Sequence, residues 1–325
     1  MRQLLTRFQW LSPVLGVAVL LGARLATGWL AGAGASVAEG STSLWGAWAA
    51  PPAGFWPASV LTAITVVALG HFAAATLQVY RVGQAGSFPT WLAAALAAAS
   101  VGVQLSWTLS GAALLTAWAA HRLFAGYRHQ GAALPVYDAG VLTGLAWLLA
   151  GPFASAVAWA ALTLGQLRKL RFVDLAQLLL GVLTPVLLVG SYAYVWGDWA
   201  GFTTQALRPG LALPSWPPAL PDQVALTALA LATLAALSAW GSLTGRRPIL
   251  EQRALRMAYT LLGTGWLAAL ATGLEPATTL ALLAYPLSLL LGTRLSELRR
   301  GRGERLTWLA LLLALVAGIG APMLA

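Results

Sequence analysis

Cysteine is absent from the 325 residues, and only 9% of them are charged. The first absence excludes thiolate catalysis, iron–sulfur clusters, cysteine–zinc sites and a disulfide framework. The second excludes a water-soluble globule, which carries about 25% charged residues. Histidine is scarce as well: His71, His121 and His129 are the only three, too few and too scattered for a metal or haem centre. No Walker A loop, HExxH or GxSxG occurs. What is abundant is apolar, at 59% hydrophobic residues and a mean hydropathy of +0.76. This composition specifies an all-α, polytopic transmembrane helical bundle, read as one domain over residues 1–325.

A helix crosses the hydrocarbon core with about 20 mainly apolar residues, and roughly 17 suffice. About eleven segments qualify: 10–31, 58–80, 89–105, 108–125, 136–150, 152–167, 173–195, 223–243, 255–273, 276–293 and 306–323. The fifth and sixth form a short hairpin broken at Gly151-Pro152, because proline cannot continue the helical hydrogen-bond ladder. The third and fourth are also short, joined around Ser106–Ser110. Short hairpins that do not cross at full thickness are expected here.

The net charge of +10 reads as topology. With Arg2 and Arg7 in the cytoplasm and sides alternating, 17 of the 19 basic residues fall at cytoplasmic ends, as the positive-inside rule requires. The chain is therefore expected to be a multi-pass membrane protein with its N-terminus inside and its C-terminus outside; the resemblance given below implies the bacterial inner membrane. The charge implies anionic lipid headgroups as partners and no nucleic acid, since no basic–aromatic module accompanies it. Two long loops fall outside, at about 32–57 and 196–222. Their aromatic residues favour the headgroup zone, so both are expected to lie on the membrane.

Few residues in this chain could carry chemistry. Arg24 lies about 14 residues into the first span and must snorkel outward or meet a phosphate or carboxylate. A guanidinium suits a lipid phosphate because its donor fork matches two oxygens. Glu39 is the single acid of the first outer loop, either solvated or a general base or metal ligand at the outer face. Arg208, in the second outer loop, is a further candidate for binding lipid phosphate. Asp138 and Asp174 each stand where a helix is expected to start and read as N-caps, Asp174 also as a charge partner of Arg171. His71 lies mid-span and is expected to hydrogen-bond a neighbouring helix. His121 and His129, with Arg122 and Arg128, read as interface residues. Mid-membrane acids are absent, which argues against a proton- or Na⁺-coupled carrier.

The stretch 135–197, with Asp138-Ala139-Gly140, Gly144, Gly151-Pro152, Gly181 and Thr184-Pro185, resembles a family of polytopic bacterial inner-membrane proteins classified only as a domain of unknown function. Tyr285-Pro286-Leu287-Ser288, followed by a basic turn and a last helix, is similar to that family too. The resemblance implies the same architecture and brings no activity. At fold level, AGxLxGLAxLxxGP over 139–152 resembles the multi-helix module of GT-C glycosyltransferases. That second resemblance implies a functional first outer loop and a polyprenyl-phosphate-linked substrate. It implies Glu39 as the supporting acid, and a divalent metal only under this reading; where those enzymes carry an acidic pair, this loop has one acid. Two functions stand side by side. One is a non-catalytic membrane subunit or scaffold of the cell envelope, with protein partners unknown and no cofactor. The other is a GT-C-like transferase at the outer face, with Glu39 catalytic and Arg24 and Arg208 on the lipid phosphate.

Overall fold

The computed structural model describes residues 55–79, 103–127, 133–167, 171–196, 199–206, 214, 217, 220–238, 240 and 248–297. Their regular structure is helical: α1 (Phe55–Val79), α2 (Trp107–Tyr127), α3 (Ala133–Leu149), a 3₁₀ turn (Gly151–Phe153), α4 (Ala154–Leu167), α5 (Phe172–Trp196), α6 (Trp199–Ala206), α7 (Leu220–Ser238), α8 (Ile249–Ala271) and α9 (Pro276–Glu297). Among the described residues, three stretches are long and apolar enough to cross a membrane: Val60–Gln78, Phe172–Val195 and Pro276–Arg294. Leu134–Leu149 and Asp222–Ser238 are apolar but shorter. Eight of the eleven expected segments coincide with these helices. The first and last expected segments, and most of the third, lie outside the described residues.

α9 is the axis of the bundle. Every residue from Thr278 to Thr293 is buried, and α1, α2, α7 and α8 pack around it. Its alanines, threonines and serine suit such a position, because in lipid small residues and hydroxyls gain most from packing against other helices. Its hydroxyls are satisfied within the helix: Thr279 donates to the Glu275 carbonyl at 2.8 Å and Thr293 to that of Leu289 at 2.7 Å. Tyr285 reaches across to Thr76 of α1 at 3.2 Å. α5 is the opposite case, peripheral and largely uncovered: of its 18 most apolar consecutive residues 28% are buried, against 89% in α9.

Glycines let α3 and α5 approach backbone to backbone. A Cβ on Gly140 would lie 2.3 Å from the Leu178 carbonyl oxygen, and one on Gly181 would lie 2.3 Å from that of Tyr137. One turn further, a Cβ on Gly144 would lie 2.7 Å from the Val182 oxygen. The two helices advance together, so α3 and α5 are parallel and α4 is the return segment between them. Close approach of backbones through small residues is the usual device where lipid removes the hydrophobic drive for association.

Breaks in the helices follow local chemistry. Ala150 is extended at φ −149° and ψ 118°, and the 3₁₀ turn over Gly151-Pro152 separates α3 from α4, as the proline predicts. α4, at 14 residues, is about 21 Å long and too short to cross a core of about 30 Å. α2, at 21 residues, exceeds the expected 108–125 by Trp107 at its start and Gly126-Tyr127 at its end, and the non-helical join is Val103–Ser106. Between α8 and α9 the turn is a Schellman motif. The Leu274 N–H donates to the Ala269 carbonyl at 2.9 Å, and Gly273 to Leu270 at 3.4 Å. Gly273 takes φ 83°, which suits glycine; Leu274 is held at φ 61°, and Pro276 then opens α9.

Candidate functional site

The arginines of the described bundle gather at one end, and hydrogen bonds show that the end is shared. Arg294 of α9 donates to the Ala235 carbonyl and, at 2.8 Å, to the Ser238 hydroxyl, at the close of α7. α8 returns antiparallel to α7, with Tyr259 donating to the Ala236 carbonyl at 2.8 Å and Trp266 to the Thr233 hydroxyl at 2.9 Å. The start of α8 thereby meets the close of α4, where Arg253 donates to the Leu167 carbonyl. α5 begins there, α3 runs parallel to it, and near the start of α3 Asp138 pairs with Arg122 of α2.

Two of these arginines occupy the C-terminal ends of neighbouring helices. The last four carbonyls of a helix lack intrahelical donors, and the macrodipole places partial negative charge there. A guanidinium at that position satisfies a carbonyl and carries the sign the dipole favours. The arginines that set charge asymmetry in the sequence are thus also ties between helices. Nearby, Trp159 of α4 donates to the Met257 carbonyl at 3.1 Å, and Gln166 to the Thr260 hydroxyl at 2.7 Å.

The expected N-cap role of Asp138 is corrected. α3 starts five residues earlier, at Ala133, with Pro135 accommodated in its first turn. Asp138 is therefore inside the helix, and its carboxylate goes to Arg122. Asp174 does lie in the first turn of α5, and it is buried. His71 sits on the exposed side of α1, turned away from the described helices that α1 packs against, so the expected interhelical bond does not form among them. His121 is partly buried beside Arg122, with an Nδ1 that has no partner among the described residues. Glu39, Arg24 and Arg208 lie outside the described residues, as does His129.

At the opposite end a polar cluster surrounds the start of α2, which the sequence reading passed over as a mere join. The Leu105 N–H donates to the Thr62 hydroxyl of α1 at 2.9 Å. Ser106 caps α2: its Oγ accepts from the Leu109 N–H at 3.2 Å and lies 3.0 Å from the Thr108 hydroxyl. Thr62, Thr65, Ser106, Thr108 and Ser110 are all buried. A serine three residues before a backbone donor, next to an apolar run, was the available signal for this cap. Glu275 was also overlooked; it precedes Pro276 and accepts the Thr278 hydroxyl at 2.6 Å, closing the first turn of α9. Among the described residues, no three of the His, Asp and Glu side chains gather as a metal site would require.

No protein-family model, curated protein or solved structure matches the chain.

Proposed function

We propose that the chain is a non-catalytic integral membrane subunit or scaffold of the bacterial cell envelope, embedded in the inner membrane. In this reading the arginine-bearing end of the bundle is cytoplasmic and the N-terminus lies inside, within a bundle of about eleven spans. The observation that carries the scaffold reading is where the guanidinium groups go. Arg122, Arg253 and Arg294 are engaged in ties between helices of this same chain. Charge used this way sets geometry. The uncovered apolar length of α5 suits lipid or another transmembrane helix, the surroundings of a membrane subunit. The transferase reading depends on Glu39, Arg24 and Arg208, and no described residue takes up its chemistry.

Complementation of a deletion strain separates the two functions. With Glu39→Gln at normal abundance, a scaffold complements fully and a transferase does not. Loss of complementation in that variant would overturn the scaffold proposal. Orientation is tested independently by reporter fusions after Arg171 and Arg256. Both are expected to score cytoplasmic, and a periplasmic score at either would overturn the proposed topology.

A further inference from the structure

Five arginines stand among the described residues, and folding uses three of them. Arg122, Arg253 and Arg294 are partly buried and tie helices together. Arg171 and Arg256 are exposed, and neither guanidinium has an acidic or hydrogen-bond partner among the described residues. The acids nearest to them in sequence, Asp174 and Glu251, do not pair with either. Charge that closes no tie is open to a partner from outside the chain.

The two free arginines flank the close of α4. On one side Arg253 of α8 donates to the Leu167 carbonyl, and Gln166 donates to the Thr260 hydroxyl at 2.7 Å. These bonds fix the face of α8 that meets α4. Arg256 lies three residues after Arg253 and four before Thr260, so it belongs to that face, and its exposure puts it at the rim. On the other side Arg171 follows Leu167 by four residues, a reach of at most about 14 Å, and directly precedes α5.

α4 itself offers an apolar surface that runs to this end. Ala158, Leu162 and Gly165 are exposed at spacings of four and three, which makes one stripe along the helix. The stripe borders Trp159 and Gln166, the two residues whose hydrogen bonds hold α8. Phe172, next to Arg171, is 83% exposed. The depth of the arginines agrees with a lipid-facing position. Arg256 is the second residue of the apolar stretch 255–273, and α8 extends seven residues, about 10 Å, beyond it toward the arginine-bearing end. Arg171 immediately precedes the stretch Phe172–Val195, which is long and apolar enough to cross. Both guanidinium groups therefore stand at the edge of the hydrocarbon, where lipid headgroups begin.

We propose that Arg171 and Arg256 together hold the phosphate of an anionic phospholipid, such as phosphatidylglycerol, with an acyl chain along the exposed stripe of α4. Each guanidinium presents a donor fork that matches two phosphate oxygens. The second arginine supplies the selectivity, because the ammonium of a zwitterionic headgroup would meet a like charge there. Assignment to the inner leaflet rests on the orientation proposed above; the site and its chemistry do not.

The test is lipid titration of the purified full chain in detergent, read by native mass spectrometry. Phosphatidylglycerol is compared with phosphatidylethanolamine and with inorganic phosphate. Wild-type protein is expected to bind phosphatidylglycerol more tightly than phosphatidylethanolamine. Arg171→Gln and Arg256→Gln are each expected to weaken phosphatidylglycerol about fivefold, the equivalent of about 1 kcal/mol for one arginine near an anionic surface. The double variant is expected to lose the preference, and Arg256→Lys to keep part of it as a point charge without the fork. Without lipid, Arg256→Gln should leave the thermal midpoint unchanged, because no tie within the chain is lost. Equal affinities for the two lipids in wild type would overturn the proposal. An undiminished preference in the double variant would also overturn it and assign the lipid to other basic residues, and full displacement of lipid by millimolar inorganic phosphate would overturn it as well. These results do not depend on the reporter fusions, so failure here is distinguishable from a failure of the topology.

Discussion

Adding one methyl group at the α3–α5 contact tests the glycine argument directly. In Gly140→Ala the new Cβ would lie 2.3 Å from the Leu178 carbonyl oxygen, and ordinary contact begins at 3.4 Å. The helices must therefore part locally by about 1.1 Å, the difference between those two distances. The obstacle is backbone, which cannot rotate away as a side-chain tip would. Overpacking of a tight core costs typically about 1–3 kcal/mol, and this geometry belongs at the upper end. Alanine is about 0.8–1.0 kcal/mol better than glycine within a helix, which offsets part of the loss. The net expectation is a destabilisation of about 2 kcal/mol, for Gly140→Ala and equally for Gly181→Ala, whose Cβ meets the Tyr137 oxygen. The pair should not be additive. A Cβ on either glycine also lies 3.0 Å from the Cα of the other, so one separation relieves both clashes. Thermal unfolding in detergent, followed by the fluorescence of the 16 tryptophans, reads the midpoint. The internal control is Gly263→Ala, where a Cβ meets nothing within 4 Å and the helix preference alone should raise the midpoint. Midpoints for Gly140→Ala and Gly181→Ala at or above wild type would refute the close parallel packing of α3 and α5.

Three further outcomes follow from the hydrogen bonds. Tyr285→Phe removes the link to Thr76 but leaves that threonine donating to the Phe72 carbonyl at 2.8 Å, so the cost should be only about 0.6 kcal/mol, the average for interhelical bonds in membranes; a loss of folded protein would show that Tyr285 has another role. Asp138→Ala should lower abundance, and the exchange Arg122→Asp with Asp138→Arg should restore it if the pair is a tie between α2 and α3. Failure of the exchange, at normal membrane insertion, would indicate that one of the two charges serves something else. Arg294→Met keeps the apolar stem and removes the guanidinium from the end of α7, and is expected to lower the thermal midpoint, whereas Arg294→Lys recovers part of it by restoring charge at the carbonyl end.

Much of the helix inventory was already present in the sequence, because hydropathy and turn chemistry are local. Pro152 ends α3 wherever α3 sits, and the Gly273–Pro276 turn follows from a glycine able to take positive φ and a proline suited to a first helical turn. Pro135 lies inside α3, which starts at Ala133, because a first helical turn accommodates a proline. The role of Asp138 depended on Arg122, 16 residues away, and no cap rule contains that partner. Rank in the bundle was also beyond the sequence. By hydropathy α5, at 2.1, should be the most hidden helix and α9, at 1.3, less so, yet the order of burial is reversed. In water the most apolar helix seeks the core; in lipid the surroundings are already apolar, so hydroxyls and small residues draw a helix inward and pure hydrocarbon is left outside. The tertiary structure alone decided that α9 is central. It also decided which oxygen Gly140 must approach, and that the start of α2 gathers hydroxyls from two helices into one buried polar cluster, because each depends on pairs of residues that meet only when the helices pack.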